Sequence, residues 1–325
     1  MLQNSHYLLD KNHASSLTAF LSSITPEDKY LLKQAISKFR PGSKNYEDSW
    51  GYIIQATRYR GFKWYDRQTD SLIFWGRKSD KDSRIVIPSF FANLDQLTYV
   101  INKVQKTLQT SNTILKNINI EDIDKFCSYG FRPYKEEETW TKEARFDDQT
   151  YPNSIVDLEK LLQLQGKDYH HLRKALRKDS YALIRKYKES DKDSVLRVFA
   201  LRDGNSLNSS TSAYLKGMFY ASHEMYPSAS MEKFVVIDKI SREVIGFTAF
   251  SEINSTNAAF VALIFKPGIK LASVWGIYQT LVIAYKKGFK TINFGGSEIE
   301  GTYVFVKRTF KPIEYIQKTH LVYDP

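Results

Sequence analysis

The chain has 325 residues, with 47 Lys and Arg against 36 Asp and Glu, a formal net charge of +11. Hydrophobic residues at 42% and aromatics at 14% are enough to fill a core, which excludes intrinsic disorder, and the length suits two domains. A single cysteine, Cys127, excludes a disulfide framework and a paired-cysteine zinc site. It is expected to be a small buried residue under an apolar helix face.

In chain order, Met1–Ser5 has neither the charged head nor the apolar run of a secretory signal. The most apolar stretches, Ala258–Phe265 and Leu271–Tyr285, are shorter than the ~20 residues of a membrane-spanning helix. These features predict a soluble, cytoplasmic protein. Thr25-Pro26-Glu27-Asp28 starts a helix: a capping threonine, a proline in the first turn and acids at the positive dipole end. Strands are expected at Tyr52–Ala56, Leu72–Trp75 and Ile85–Ile87. A helix over about Leu94–Leu108, a strand Thr113–Ile118, a helix over about Glu121–Tyr129 and an extended stretch Phe131–Thr141 follow. The polar run Phe146–Asn153 reads as a linker, which divides the chain into domains 1–150 and 151–325.

The second half repeats the plan. A basic helix at Tyr169–Lys178 precedes a strand at Tyr181–Tyr187 and helices near Ser194–Leu201 and Ser212–Ser222. Three meandering strands follow, Phe234–Asp238, Val244–Glu252 and Ala258–Phe265. Then come an amphipathic helix Leu271–Lys287 closed by Gly288, a strand Thr291–Phe294, a Gly295-Gly296 turn, a helix near Thr302–Thr309 and a last strand Glu314–Val322. This order predicts an α+β fold: two tandem acyl-CoA N-acyltransferase-like (Gcn5-related) domains, each a mixed, mainly antiparallel sheet flanked by helices.

Between Lys167 and Lys188 lie eight basic residues and two acidic ones, a net +6. Arg173 and Arg177 are four residues apart, as are Lys174 and Lys178, so a helix projects all four from one side. Such a strip meets phosphates, although a charge run is more often only a solvated helix face. Gly295-Gly296 ends a strand, and Ser297 is placed to cap the next helix, aiming backbone N–H groups at an oxyanion. The pair His223-Glu224 offers a base with an orienting acid, or a surface loop; His320 and Asp324 complete no triad. Between Phe265 and Leu271 the chain reads Lys266-Pro267-Gly268-Ile269-Lys270. The two-glycine loop that cradles coenzyme A pyrophosphate is missing there, and Pro267 has no N–H to donate.

Two segments carry a resemblance. One runs Ser154-Ile155-Val156-Asp157-Leu158 to Gly166-Lys167-Asp168-Tyr169 and into the basic helix. The other is Ile292-Asn293-Phe294-Gly295-Gly296-Ser297-Glu298, followed by Val306-Lys307-Arg308-Thr309-Phe310-Lys311-Pro312. Together they resemble the C-terminal domain of phosphatidylglycerol lysyltransferases and, more loosely, the Fem-type peptidyltransferases, with Val306 standing where phenylalanine is usual. The resemblance implies an aminoacyltransferase that moves an amino acid from aminoacyl-tRNA to a hydroxyl or amine on a lipid headgroup, peptide or small molecule. No metal, cofactor or covalent intermediate is implied. Lys307 would be the catalytic residue. Arg173, Lys174, Arg177, Lys178, Gly295, Gly296, Ser297, Glu298 and Arg308 would hold the donor, with tRNA as partner and peripheral contact with an anionic membrane. The alternatives are an acyl-CoA-dependent N-acyltransferase, and a non-catalytic module binding nucleic acid or an anionic membrane.

Overall fold

The computed structural model describes residues 22–57, 61–76, 84–110, 112–134, 151–178, 182–203, 231–296 and 300–323. After a two-residue strand β1 (Ser22–Ser23), the Thr25–Asp28 signal starts α1 (Asp28–Phe39). Buried Asp28 accepts a hydrogen bond from the Thr25 amide at 2.7 Å and pairs with Lys63. The expected strand at Tyr52–Ala56 is instead helix α2 (Trp50–Ala56). The reason lies in its two-sided burial. Trp50, Ile53 and Ile54 pack into the core of the first half while Tyr52 packs into that of the second, so no polar face marks the helical period. Gly51 lets α2 approach this closely: a Cβ there would lie 2.9 Å from the Met231 sulfur and 3.1 Å from the Ser251 Cβ.

Strands β2 (Gly61–Asp66), β3 (Ser71–Gly76) and β4 (Arg84–Phe91) form an antiparallel meander. Helix α3 (Leu94–Leu108) starts at a capping box between Asn93 and Gln96 and lays Leu97, Val100, Ile101 and Val104 onto the sheet. Strand β5 (Asn112–Asn119) returns parallel to β4, and α4 (Ile123–Cys127) and β6 (Phe131–Pro133) follow. Cys127 is exposed rather than buried, because α4 turns Phe126 inward instead.

The second half opens with β7 (Asn153–Asp157), whose Asp157 caps α5 (Leu158–Gln163). Then come α6 (His170–Lys178), β8 (Ala182–Lys186), α7 (Lys192–Asp203), β9 (Glu232–Asp238), β10 (Val244–Glu252) and β11 (Asn257–Phe265). Helix α8 (Lys270–Lys286), β12 (Thr291–Asn293), α9 (Glu300–Phe310), β13 (Glu314–Ile316) and β14 (Lys318–Tyr323) complete the chain. The helix expected at Ser212–Ser222 lies outside the described residues.

Among the described residues two seven-stranded sheets result, ordered β1-β2-β3-β4-β5-β14-β6 and β13-β7-β12-β11-β10-β9-β8. Each contains one parallel pair, β4/β5 in the first and β11/β12 in the second, and is otherwise antiparallel. This is the expected α+β architecture. The single last strand expected at Glu314–Val322 is in fact two, split at Gln317. β13 pairs with β7, whereas β14 inserts between β5 and β6 of the first sheet, where Leu321 and Tyr323 join its core. Burying those side chains favours the return by roughly 2 kcal/mol each. The last strand therefore lies in the first sheet, not in the unit beginning at residue 151.

Each parallel pair is hydrogen-bonded at one end only. The β4/β5 rungs run from Arg84 opposite Asn112 to Ile87 opposite Leu115. Beyond them β4 follows β3 and β5 follows β14, so the two strands part. The β11/β12 rungs run from Asn257 opposite Thr291 to Ala259 opposite Asn293, where β12 ends. Two wedges open in this way, one per sheet.

Candidate active site and inter-domain cavity

The basic helix α6 is anchored by Leu172, Ala175 and Leu176 on the second core, which sends Lys174 and Arg177 to solvent. Helix α9 packs beside it and carries Lys307 and Arg308, both exposed. The structure thus brings Lys174, Arg177, Lys307 and Arg308 onto neighbouring helices. Arg173 differs: its Nη1 donates to the Leu164 and Gly166 carbonyls, closing the C-terminal end of α5, so that nitrogen is engaged within the fold. The side chain of Lys178, together with Ser297, Glu298, His223, Glu224 and Asp324, lies outside the described residues.

Lys307 sits over the Tyr303 ring, its Nζ 5.7 Å from the centroid, within cation–π range. Tyr303 stacks on Tyr151 at 4.9 Å and meets the edge of Tyr315 at 6.0 Å. Burial, and then the Tyr303 neighbour, push the Tyr315 phenol above its ordinary range.

The Gly295 turn has the expected left-handed backbone, φ 71°. Its amide is not free to meet an oxyanion, because it donates to Asn293 Oδ1 at 2.7 Å. Gly296 is exposed. The wedge beneath the turn is closed. Phe260 and Phe294, the residues just past the last rung, stack at 5.0 Å and 5°, and Phe310 of α9 stacks on Phe294 at 5.4 Å. In the loop before α8, Lys266 pairs with Glu243 at 2.7 Å and Gly268 takes a left-handed φ of 86°. A phosphate there would have to displace that ion pair.

The other wedge is open. In the first sheet the residues just past the last rung are Pro88 and Lys116, and between them lies a cavity of about 840 Å3. The turn Tyr46–Asp48 and the start of β14 wall it, and Tyr315, whose ring meets that of Tyr303, borders it. Two asparagines of the second sheet and one of its β10–β11 turn clamp the loop before this turn. Asn254 and Asn257 donate to the Ser43 carbonyl at 2.8 and 3.0 Å, and Asn293 donates to the Lys44 carbonyl at 2.7 Å. Asp48, fully buried, is matched by Arg40 at 2.9 Å and by Ser43 at 2.6 Å.

Glu47 is less well matched. It is 6% exposed, accepts from Asn153 Nδ2 only at 3.4 Å, and lies 3.5 Å from Lys318 Nζ. Its Oε2 makes no hydrogen bond. Burial pushes its carboxyl above the usual carboxylate range, against the pull of Lys318. Lys318, also 6% exposed, is held by Asn45 Oδ1 at 2.8 Å and Asn119 Oδ1 at 2.6 Å. Sequence reasoning missed these residues, because they come from three distant stretches. The one visible signal was Lys116 within an apolar strand.

Among the described residues, no cluster of three or more His, Cys, Asp or Glu could hold a metal ion, and no helix is long and apolar enough to cross a membrane.

No family model matches the sequence, and no curated protein matches it. Solved structures do. A conserved protein of unknown function from Bacteroides thetaiotaomicron has a TM-score of 0.71 at 13% identity, over 93% of this chain and 98% of that one. FemX has a TM-score of 0.64 at 11% identity, over 93% and 96%. L-PGS from Bacillus licheniformis has a TM-score of 0.58 at 14% identity, over 93% and 92%. At these identities the likeness is one of fold: the chain shares the fold of FemX and L-PGS over 93% of its length, as the sequence motifs led one to expect.

Proposed function

We propose that the protein is an aminoacyltransferase that takes its amino acid from aminoacyl-tRNA and passes it to a hydroxyl or amine held in the inter-domain cavity. What supports this most is one juxtaposition. Lys174 and Arg177 are exposed on α6, which packs against α9, where Lys307 and Arg308 are exposed too, on a fold shared with FemX and L-PGS. Phosphates of the donor would meet the cations of α6 and α9, with the salt dependence of counterion release. The exposed face of Tyr315 offers a stacking surface for an unpaired base of the donor end.

The chemistry asked of the protein is modest, because an aminoacyl ester is already activated. The acceptor's nitrogen or oxygen attacks the ester carbonyl, the bond to the ribose oxygen breaks, and the acceptor's proton ends on that ribose oxygen. Lys307 would donate to the negative oxygen of the tetrahedral intermediate, the place where a donor lowers the barrier most. The reading requires no metal or organic cofactor. Coenzyme A is a poorer donor candidate here, since Lys266 is engaged by Glu243 and Pro267 removes an amide from the loop.

The double variant Lys174→Glu/Arg177→Glu tests the donor. In filter binding at low salt its affinity for tRNA should fall about tenfold or more, with a shallower salt slope. Unchanged affinity rejects the reading.

A further inference from the structure

We propose that the inter-domain cavity binds molecules through a primary ammonium group, with Glu47 as the hydrogen-bonding counter-ion. The cations around the cavity are already engaged: Arg40 by Asp48, Lys44 by Glu314 at 2.7 Å, and Lys318 by Asn45, Asn119 and Glu47; Lys116 is engaged as well. An anionic ligand would have to break one of these pairs.

Glu47 is the opposite case. Its Oε1 accepts from Asn153 Nδ2 only at 3.4 Å, and its Oε2, 3.5 Å from Lys318 Nζ, makes no hydrogen bond. A buried carboxylate left in that state is costly, and the group that would satisfy it is a strong donor. The terminal torsion of a glutamate is broad, so the carboxylate can turn toward such a donor without leaving its rotamer.

The rest of the cavity fits an amine on an apolar stem. Pro88, Phe90, Ile118, Ile120 and Phe126 supply an apolar wall. The volume, about 840 Å3, falls in the range of small-molecule sites and holds one end of a larger molecule. Glu121 and Asp122, also on the lining, favour the approach of a cation. Calling this ligand the acceptor rests on the aminoacyltransferase reading; the binding itself does not.

The test is calorimetric titration of the full chain, without tRNA, using hexylamine, 1-hexanol and hexanoate as probes of equal stem. Hexylamine should bind, the alcohol and the acid should bind at least about tenfold more weakly, and Glu47→Gln should abolish most of that preference. Equal binding of the three in the unmodified protein, no binding of any, or a preference that survives Glu47→Gln in a folded variant would each overturn the proposal. The comparison of probes needs no variant, so it holds even if Glu47→Gln fails to fold. Loss of tRNA binding in the α6 variant with hexylamine binding intact would separate the two sites. Failure of tRNA to bind at all would sink the donor reading and leave this one standing.

Discussion

The two parallel strand pairs of this molecule are built alike and finished differently. In each sheet a short parallel ladder ends and the strands part. In the second sheet the next two residues are Phe260 and Phe294, which stack and are backed by Phe310. In the first they are Pro88 and Lys116, neither of which can close the gap, and a cavity of about 840 Å3 remains. A wedge that would cost stability if dry is instead lined with polar groups, and those groups come from both halves of the chain. The filled wedge supports the basic face of α6 and α9. The open one is the place for a small molecule.

The sharpest way to break the comparison is to empty the filled wedge. Phe310 is fully buried, so Phe310→Ala should lower the unfolding free energy by about 4 kcal/mol in urea denaturation. Wild-type stability in that variant would mean the aromatic stack is not what closes the second wedge. Removing the cation from the open wedge should cost somewhat less. Lys318→Met strands Glu47 without a counter-ion and leaves the acceptors of Asn45 and Asn119 unmatched, an expected loss of about 3 kcal/mol.

The smallest effect concerns Glu47 itself. Its pKa is raised by burial, so its folded form favours the proton. The stability cost of its charge is therefore absent at acid pH, and it grows as pH rises through and above the ordinary carboxylate range. Lys318 keeps two asparagine acceptors when the charge is gone. Glu47→Gln should thus stabilise the protein at neutral pH, with a gain that shrinks as the pH falls through the carboxylate range. Thermal melts of the two proteins across that window read the sign directly. A Glu47→Gln variant that is less stable at neutral pH would show that the ion pair outweighs the desolvation.

Much of the architecture was legible in the chain because local signals agreed with it. The expected helix Leu94–Leu108 is α3, Gly288 closes α8, and the expected strand Val244–Glu252 is β10. The errors share one cause. Trp50–Ala56 carries no helical period because its helix is buried on two sides, and nothing local in Glu314–Val322 records that its two halves serve different sheets. The candidate site divides in the same way. The cluster of charge in α6 and the Lys307 segment were visible as composition. That Arg173 turns back to close α5, and that the Gly295 amide is taken by Asn293, were not.

By itself, then, the chain determined where most of its helices and strands lie, the basic face of one helix, and the order of elements that yields two tandem sheets. These depend on spacing and capping within a few residues, where the physics is local. Only the tertiary structure decided which wedge is filled, which strand crosses back, and that Glu47, Asn153 and Lys318 meet at one cavity. Those outcomes depend on burial shared among residues far apart in the chain, and no local pattern encodes such a meeting.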